Sequence, residues 1–318
     1  MAASNLAAFR RFAPTPPAGK ALHVLLVEGS AGDPQPLRRL MAQCAPGIES
    51  TSVRSLSEAL AHARGAKCDA MLLDVPLPDA ASLDMVTTLC LAFPALPLIL
   101  VTGHDDEDLA LQAMRCGAQD CVVRGRSDAS MIGRAIRHAV ARKAYAAVLT
   151  ERANFDPLTG LANRALMRDR LDHALARASR ARRRAAVMFI DLDGFKAIND
   201  ALGHDGGDEV LKAFAGLLSR TARKAETVAR FGGDEFVVVL EEIGEIVEAT
   251  AVASRILQAL EAPLALPGTM ASVSCSIGIA VYPDDGGDAA TLLHQADTAM
   301  FAAKKCGPNN VRTVRAQR

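Results

Sequence analysis

The chain has no tryptophan, two tyrosines and an aromatic share of only 4%. Single-stranded nucleic acids are gripped largely by stacking on such rings, so that ligand class is disfavoured from the start. A charge surplus is also missing, because 36 Lys and Arg face 36 Asp and Glu. Without a basic excess the chain has no affinity for bulk polyanions, whether nucleic acid or an anionic membrane. The seven cysteines are odd in number and scattered, with no CxxC pair. That pattern fits reduced thiols rather than a disulfide framework or a zinc site. The longest apolar run, Leu89 to Val101, is broken by Pro94 and Pro97. It falls short of the roughly 20 residues a spanning helix needs. The first 20 residues carry Arg10, Arg11 and a PTPPAG stretch but no apolar signal core, and they read as a disordered tail. The expectation is a cytoplasmic protein with no nucleic-acid or membrane partner.

What is present is core-forming material: 318 residues, half of them hydrophobic. At about 150 residues per domain this length suggests two domains. From Ala21 to about Arg142 the pattern alternates. Short apolar runs (LHVLLV, AMLLDV, LPLILVT, DCVVR) read as strands of a parallel sheet buried on both faces. Between them Pro36–Cys44, Leu56–Arg64, Ser82–Phe93 and Glu107–Cys116 read as helices. In a doubly wound sheet the carboxyl ends of the strands line the functional crevice, which gathers Glu28, Asp74 and Thr102 at one edge. Ser127 to Arg152 then reads as one long helix, either a dimer seam and lever or a plain spacer. The second half reads as an α+β sandwich. It has a strand AAVMFIDLD, a helix near Asp208–Arg220, a hairpin ETVARFGGDEFVVVL, a helix Ile246–Leu260, a strand ASVSCSIGIAVY and a final helix AATLLHQADTAMFAAKKCG.

Two turns in that half carry acids. The run Ala185–Ile190 ends in Asp191-Leu192-Asp193, and alternation along a strand puts both carboxylates on one side. A Gly232-Gly233 pair between two β-like runs signals a hairpin turn, and Asp234 and Glu235 follow it. Two carboxylate-bearing turns on neighbouring strands suit Mg²⁺, which favours a few carboxylates plus substrate phosphates. Gly232 and Gly233 let a nucleotide approach the backbone closely. Asp- and Gly-rich surface turns are also commonplace without any site.

Six segments then occur in order: DPLTGLANR, DLDGFKAIND, GHDGGDEVL, RFGGDEF, SIGIA and ADTAMFAAKKCGPN. Together they resemble the GGDEF family, the diguanylate cyclases, over essentially all of residues 154–312. The resemblance implies a fold like the nucleotidyl cyclase and polymerase palm. It also implies joining of two GTP into cyclic di-GMP with release of two pyrophosphates, across a homodimer. Two Mg²⁺ or Mn²⁺ per active site would be held by Asp191, the Leu192 carbonyl and Asp234 or Glu235. Asp234 would deprotonate the 3′-hydroxyl and Glu235 would hold metal. Asn199 and Asp208 match the guanine-reading pair, and His204 matches a further substrate contact or a helix-capping residue. Gly194 and Phe195 would offer N–H groups to phosphates, and Lys304 a point charge to the γ-phosphate. This chain departs from the family at Pro308, where a basic residue is usual, and at Phe301, where Tyr is usual. The product-inhibition motif RxxD reads Arg223-Lys224-Ala225-Glu226, so inhibition by cyclic di-GMP is expected to be weaker.

Residues 22–140 resemble the receiver domain of response regulators, a flavodoxin-like fold with a doubly wound, five-stranded parallel sheet. The carriers are LLVEGSAGD, DAMLLDVPLPDA, LILVTGHDD and GAQDCVVRG. By resemblance Asp74 is the phospho-acceptor, with Glu28, Thr102 and Arg124 beside it, and an upstream histidine kinase or other signalling protein is the partner. The acidic pair is reduced to Glu28-Gly29, and the Lys position holds Arg124, which is no equivalent at a tight phosphate site. Two readings stand: a phosphorylated switch, or a pseudo-receiver that dimerises or binds a partner without phosphorylation. The expected layout is a disordered tail over 1–20, a receiver-like domain over 21–128, a linking helix over 129–153 and the GGDEF domain over 154–318. The competing function, from another class, is a noncatalytic protein that binds GTP or cyclic di-GMP.

Overall fold

The computed structural model describes residues 21–28, 35–44, 47–75, 82–103, 107–223 and 226–314. The expected N-terminal tail, Gly29, Lys224 and Ala225 lie outside them. The chain divides into two units, Met1–Thr150 and Glu151–Arg318.

In the first unit β1 (Leu22–Val27), α1 (Gln35–Gln43), β2 (Ile48–Val53), α2 (Leu56–Gly65), β3 (Ala70–Asp74), α3 (Ser82–Ala92), β4 (Leu98–Thr102), α4 (Glu107–Arg115) and β5 (Asp120–Val123) alternate along the chain. The five strands are parallel in the order β2-β1-β3-β4-β5, the flavodoxin-like doubly wound arrangement. Alternate side chains feed two cores. Leu25, Val27, Leu73 and Leu100 pack on one face, and Val24, Leu26, Leu72 and Val101 on the other. Double burial explains why β1, β3 and β4 read as unbroken apolar runs. The edge strand β2, IESTSV, is mostly exposed and polar, and the apolar-run criterion passes over it.

Helix α5 (Ala129–Asn154) buries Ile132, Ile136 and Ala139 in its first turns, whereas Val148 farther along is exposed. The helix therefore has a packing face only over its N-terminal half.

The second unit contains α6 (Arg164–Ala181), β6 (Arg184–Leu192), α7 (Phe195–Thr221), β7 (Thr227–Gly232), β8 (Glu235–Ile243), α8 (Ile246–Ala259), β9 (Leu264–Leu266), β10 (Thr269–Ala271), β11 (Cys275–Tyr282), α9 (Ala289–Lys305) and β12 (Asn310–Thr313). Its main sheet runs β12-β11-β6-β8-β7, antiparallel except for the β11–β12 pair. Met188, Ile190 and Leu192 of β6 face the core that α7 and α8 cover, and Val187 and Phe189 face the one under α6 and α9.

One reading is corrected here. The helix expected near Asp208–Arg220 begins already at Phe195 and is broken by Gly203 at φ 74° and ψ 171°. Helix α6, one further strand and the small β9–β10 hairpin were not anticipated. Phe301, where Tyr is usual, is 57% exposed on the outer side of α9, with the Lys305 ammonium 4.6 Å from its ring centre.

Candidate functional site

Register across the second unit's sheet builds the site. Asp191, next to last in β6, lies directly opposite Glu235 of β8 on one side and Ser276 of β11 on the other. Directly opposed residues share a face, so the three side chains project together, toward the side covered by α9. Helix α9 approaches so closely that a Cβ on Gly278 would meet the Ala296 carbonyl at 2.0 Å and the Met300 nitrogen at 2.1 Å. This contact seats the helix on β11 and brings Lys304, in its last turn, to the end of β6.

The Lys304 ammonium lies 2.6 Å from Asp191 Oδ1. Among the described residues this buried oxygen has no partner besides that ammonium. Burial pushes the Asp191 carboxyl above the usual range, Asp234 and Asp193 add to the shift, and Lys304 opposes it. Glu235 is raised in the same way, first by burial and then by Asp191, Asp297 and Asp234, again against Lys304. A buried carboxylate balanced by a single ammonium and crowded by further acids is an arrangement that a divalent cation relieves. Among the described residues no three His, Cys, Asp or Glu side chains form a metal cage of their own. The donor set suits a cation that completes its shell with waters and phosphate oxygens, the habit of Mg²⁺.

The turn between β7 and β8 is held from outside. Gly233 takes φ +52°, open to glycine at little cost. Arg230 donates through Nε to the Gly233 carbonyl at 2.9 Å and through its terminal nitrogen to both oxygens of Asp156, at 3.2 and 3.3 Å. Burial alone would raise Asp156, but hydrogen bonds from Thr159 and Arg230 outweigh it and hold the carboxyl below its ordinary value.

On the other side of the edge Gly194 opens α7 in a left-handed conformation, and the helix's first N–H groups follow it. Such a terminus favours anions. The break at Gly203 folds the second arm of α7 back on the first. A Cβ on the buried Gly207 would sit 1.8 Å from Asn199 Oδ1. Gly207 thus gives Asn199 its space, next to Asp208 in the chain. His204 and Asp208 are exposed.

The structure brings together Asp191, Glu235 and Lys304, with Leu192 and Asp234 joined by a backbone hydrogen bond of 3.3 Å. Arg223 and Glu226 lie elsewhere, in a 230 Å³ cleft with Arg177, Arg183, Glu241 and Glu242. There the Glu226 carboxylate accepts the Arg223 backbone N–H at 2.6 Å. Sequence reasoning missed Asp297, which acts on Glu235 from α9, and Gly207. The only available sign was that both fall within motif segments.

In the first unit Glu28, Asp74, Thr102 and Arg124 all sit at the carboxyl ends of strands. Asp74 is paired with the Arg124 guanidinium, and Glu28 Oε1 accepts from Arg38 Nε at 3.2 Å. Glu28 is buried, and among the described residues its second oxygen has no hydrogen-bond partner. Burial raises the Asp74 carboxyl, Arg124 opposes, and Glu28 adds to the rise.

The fold and sites define a class: a flavodoxin-like α/β unit with acids at its crevice, followed by an α+β unit with an acidic sheet edge. Residues 24–135 match the family described as the response regulator receiver domain, and residues 153–310 match the diguanylate cyclase GGDEF domain. The chain is a receiver–GGDEF protein, a response regulator receiver domain followed by a GGDEF domain. It is similar to diguanylate cyclase TpbB of Pseudomonas aeruginosa, 45% identical over half of this chain and 37% of that protein. It is 33% identical to response regulator PleD of Caulobacter vibrioides over 68% of this chain and 49% of that one. It thus spans half or less of the length of these curated relatives. Among solved structures, the coiled coil and GGDEF domain of DgcB from Caulobacter crescentus, in complex with c-di-GMP, matches at TM-score 0.52. That match has 27% identity and covers 58% of this chain and 97% of that one.

Proposed function

We propose that the chain is a diguanylate cyclase that condenses two GTP into cyclic di-GMP as a homodimer. The carrying observation is Asp191, directly opposite Glu235, crowded by Asp234 and balanced at its buried Oδ1 by Lys304 alone. In each half-reaction the 3′-hydroxyl of one GTP attacks the α-phosphate of the other, and the bond to pyrophosphate breaks. Two such steps close the ring and release two pyrophosphates.

Asp234 accepts the 3′-hydroxyl proton. Asn199 and Asp208 read guanine, since a carboxylate accepts from N1–H and N2–H, which adenine lacks. The N–H groups at Gly194 and Phe195 and the Lys304 ammonium meet the phosphates, Gly232 and Gly233 admit the nucleotide, and His204 lies beside it. Asp191, the Leu192 carbonyl and Glu235 would hold divalent metal, Mg²⁺ or Mn²⁺, which neutralises charge on the attacking and leaving oxygens. Purified protein given GTP and Mg²⁺ is expected to release two pyrophosphates per cyclic di-GMP, and EDTA is expected to stop it. GTP consumption that yields only GDP and phosphate would refute the reading.

Arg223 remains available to cyclic di-GMP, but the inward fold of Glu226 weakens that contact, so product inhibition is weak. For the receiver the pseudo-receiver reading is favoured, because Arg124 and Arg38 already occupy Asp74 and one oxygen of Glu28. Phosphoryl transfer depends on charge neutralisation by metal, and a receiver with one acid missing and two engaged is poor at it. Its signalling partner then acts by binding rather than as a histidine kinase. Acetyl phosphate is expected to leave the chain unlabelled. Labelling that disappears in Asp74→Asn would reverse this view.

A further inference from the structure

The two acids of Asp191-Leu192-Asp193 do different work. Asp191 presents its buried Oδ1 to the Lys304 ammonium, whereas the oxygens of Asp193 are engaged by Ser276 and by the Asn309 backbone. Asp193 Oδ1 accepts from the fully buried Ser276 hydroxyl at 2.7 Å, and Oδ2 accepts the Asn309 backbone N–H at 3.0 Å. Its own N–H donates to the Ser274 carbonyl at 2.9 Å. One carboxylate therefore ties the end of β6 to the start of β11 and to the turn after α9.

That turn controls Lys304. Gly307 donates back to the Lys304 carbonyl at 3.2 Å, and Cys306 to Ala303 at 2.9 Å. Gly307 and Asn309 take positive φ, 113° and 55°, on either side of Pro308, whose ring fixes its own φ. The turn runs into β12, where Asn310 pairs with Ser276, and Asn309 to Asp193 is its side-chain link to the end of β6. Gly278 fixes α9 near Met300, and Asp193 fixes it beyond Lys305. Lys304 lies between these two anchors.

We infer that Asp193 is a positioning residue, which clamps Ser276 and the Asn309 turn so that the Lys304 ammonium is held at the Asp191 edge for the nucleotide's phosphates. This rests on the proposed use of GTP. Because this chain has Pro308 where a second basic residue is usual, Lys304 carries the phosphate contact without that neighbour, and its placement matters more.

The test is a double-mutant cycle on GTP affinity, measured at equilibrium with Mg²⁺ and a non-reactive GTP analogue on the full chain. Asp193→Asn keeps an acceptor for Ser276 but sets an NH₂ against the Asn309 N–H. It is expected to weaken binding about tenfold, as loss of one charge-assisted hydrogen bond should. Lys304→Ala should weaken it at least as much. The double variant should bind like Lys304→Ala alone, because residues acting through one contact are not additive. A merely structural role for Asp193 would instead lower the melting temperature and leave the two losses multiplicative. Ser276→Ala, which removes the other donor to Asp193, serves as the second variant and should give a smaller loss that also vanishes without Lys304. Multiplicative losses, or wild-type affinity in Asp193→Asn, overturn the inference. Analogue binding with no cyclic product from GTP would overturn the cyclase reading alone and leave the cycle readable.

Discussion

At the scale of single residues, carboxylate crowding at the β6 edge is the feature with measurable consequences. Glu235 has its folded-state value raised above the ordinary 4.5, by burial and by Asp191, Asp297 and Asp234. Below 4.5 the group is protonated in folded and unfolded chains alike and costs nothing. As pH rises through the window up to the folded value, the unfolded chain loses its proton first, and stability falls. Glu235→Gln removes this cost, so in EDTA the variant is expected to melt above wild type at pH 7. The gap should close as pH falls below 4.5. A variant that melts lower at pH 7, or a gap that does not vary with pH, would contradict this. Adding Mg²⁺ should reverse the order at pH 7, since the cation stabilises only the chain that retains its ligands.

These two acids were legible in the sequence because each ends or begins an apolar run. A carboxylate at the mouth of a buried strand has few bland explanations when a second stands beside it. Asp193 was legible as an acid but not in its role, which depends on Ser276 and Asn309, both far away in the chain. Asp297 was equally hidden, because on a helix with a clear apolar face an exposed Asp looks like ordinary solvated surface.

At the scale of elements, the approach of α9 to β11 positions the site. Gly278→Ala would drive a methyl group into the Ala296 carbonyl and Met300 nitrogen, backbone atoms that cannot turn aside. The helix must shift as a body, at a cost of about 3 kcal/mol or more. Denaturant unfolding should show that loss, and GTP affinity should fall with it as Lys304 moves. A change under about 0.5 kcal/mol would mean that the close approach is not real. The sequence signals this packing poorly, since a lone glycine within SIGIA equally marks a bulge or an open strand. Strand β2 was hidden for the opposite reason. Lying at the edge, it has no need of an apolar run, and β3 and β4 advertise themselves only because both their faces are covered. The break at Gly203 escaped notice because helical periodicity continues on either side of it. Yet it is what places Asn199 against Gly207.

At the scale of the whole molecule, the absence of net charge takes on a specific meaning. A chain with 36 cations and 36 anions has no net charge to attract a polyanion, but it can still aim one ammonium and one helix terminus at the phosphates of one nucleotide. Each unit repeats the same local economy of charge. In the receiver, Arg38 and Arg124 quench two acids. In the GGDEF domain, Lys304 alone balances Asp191, and Glu235 stands among further acids. Two arginines on two acids suit the proposed pseudo-receiver, and one lysine among several acids suits the proposed metal-dependent cyclase. The central claim is that GTP is cyclised at the Asp191–Glu235 edge. Its most direct test is the initial rate of cyclic di-GMP formation from GTP and Mg²⁺ by wild type, Asp191→Asn and Glu235→Gln at equal protein concentration. Wild type is expected to form product and each variant to lose at least about 100-fold. No product from wild type at concentrations that favour dimers, or undiminished rates in both variants, would contradict the account.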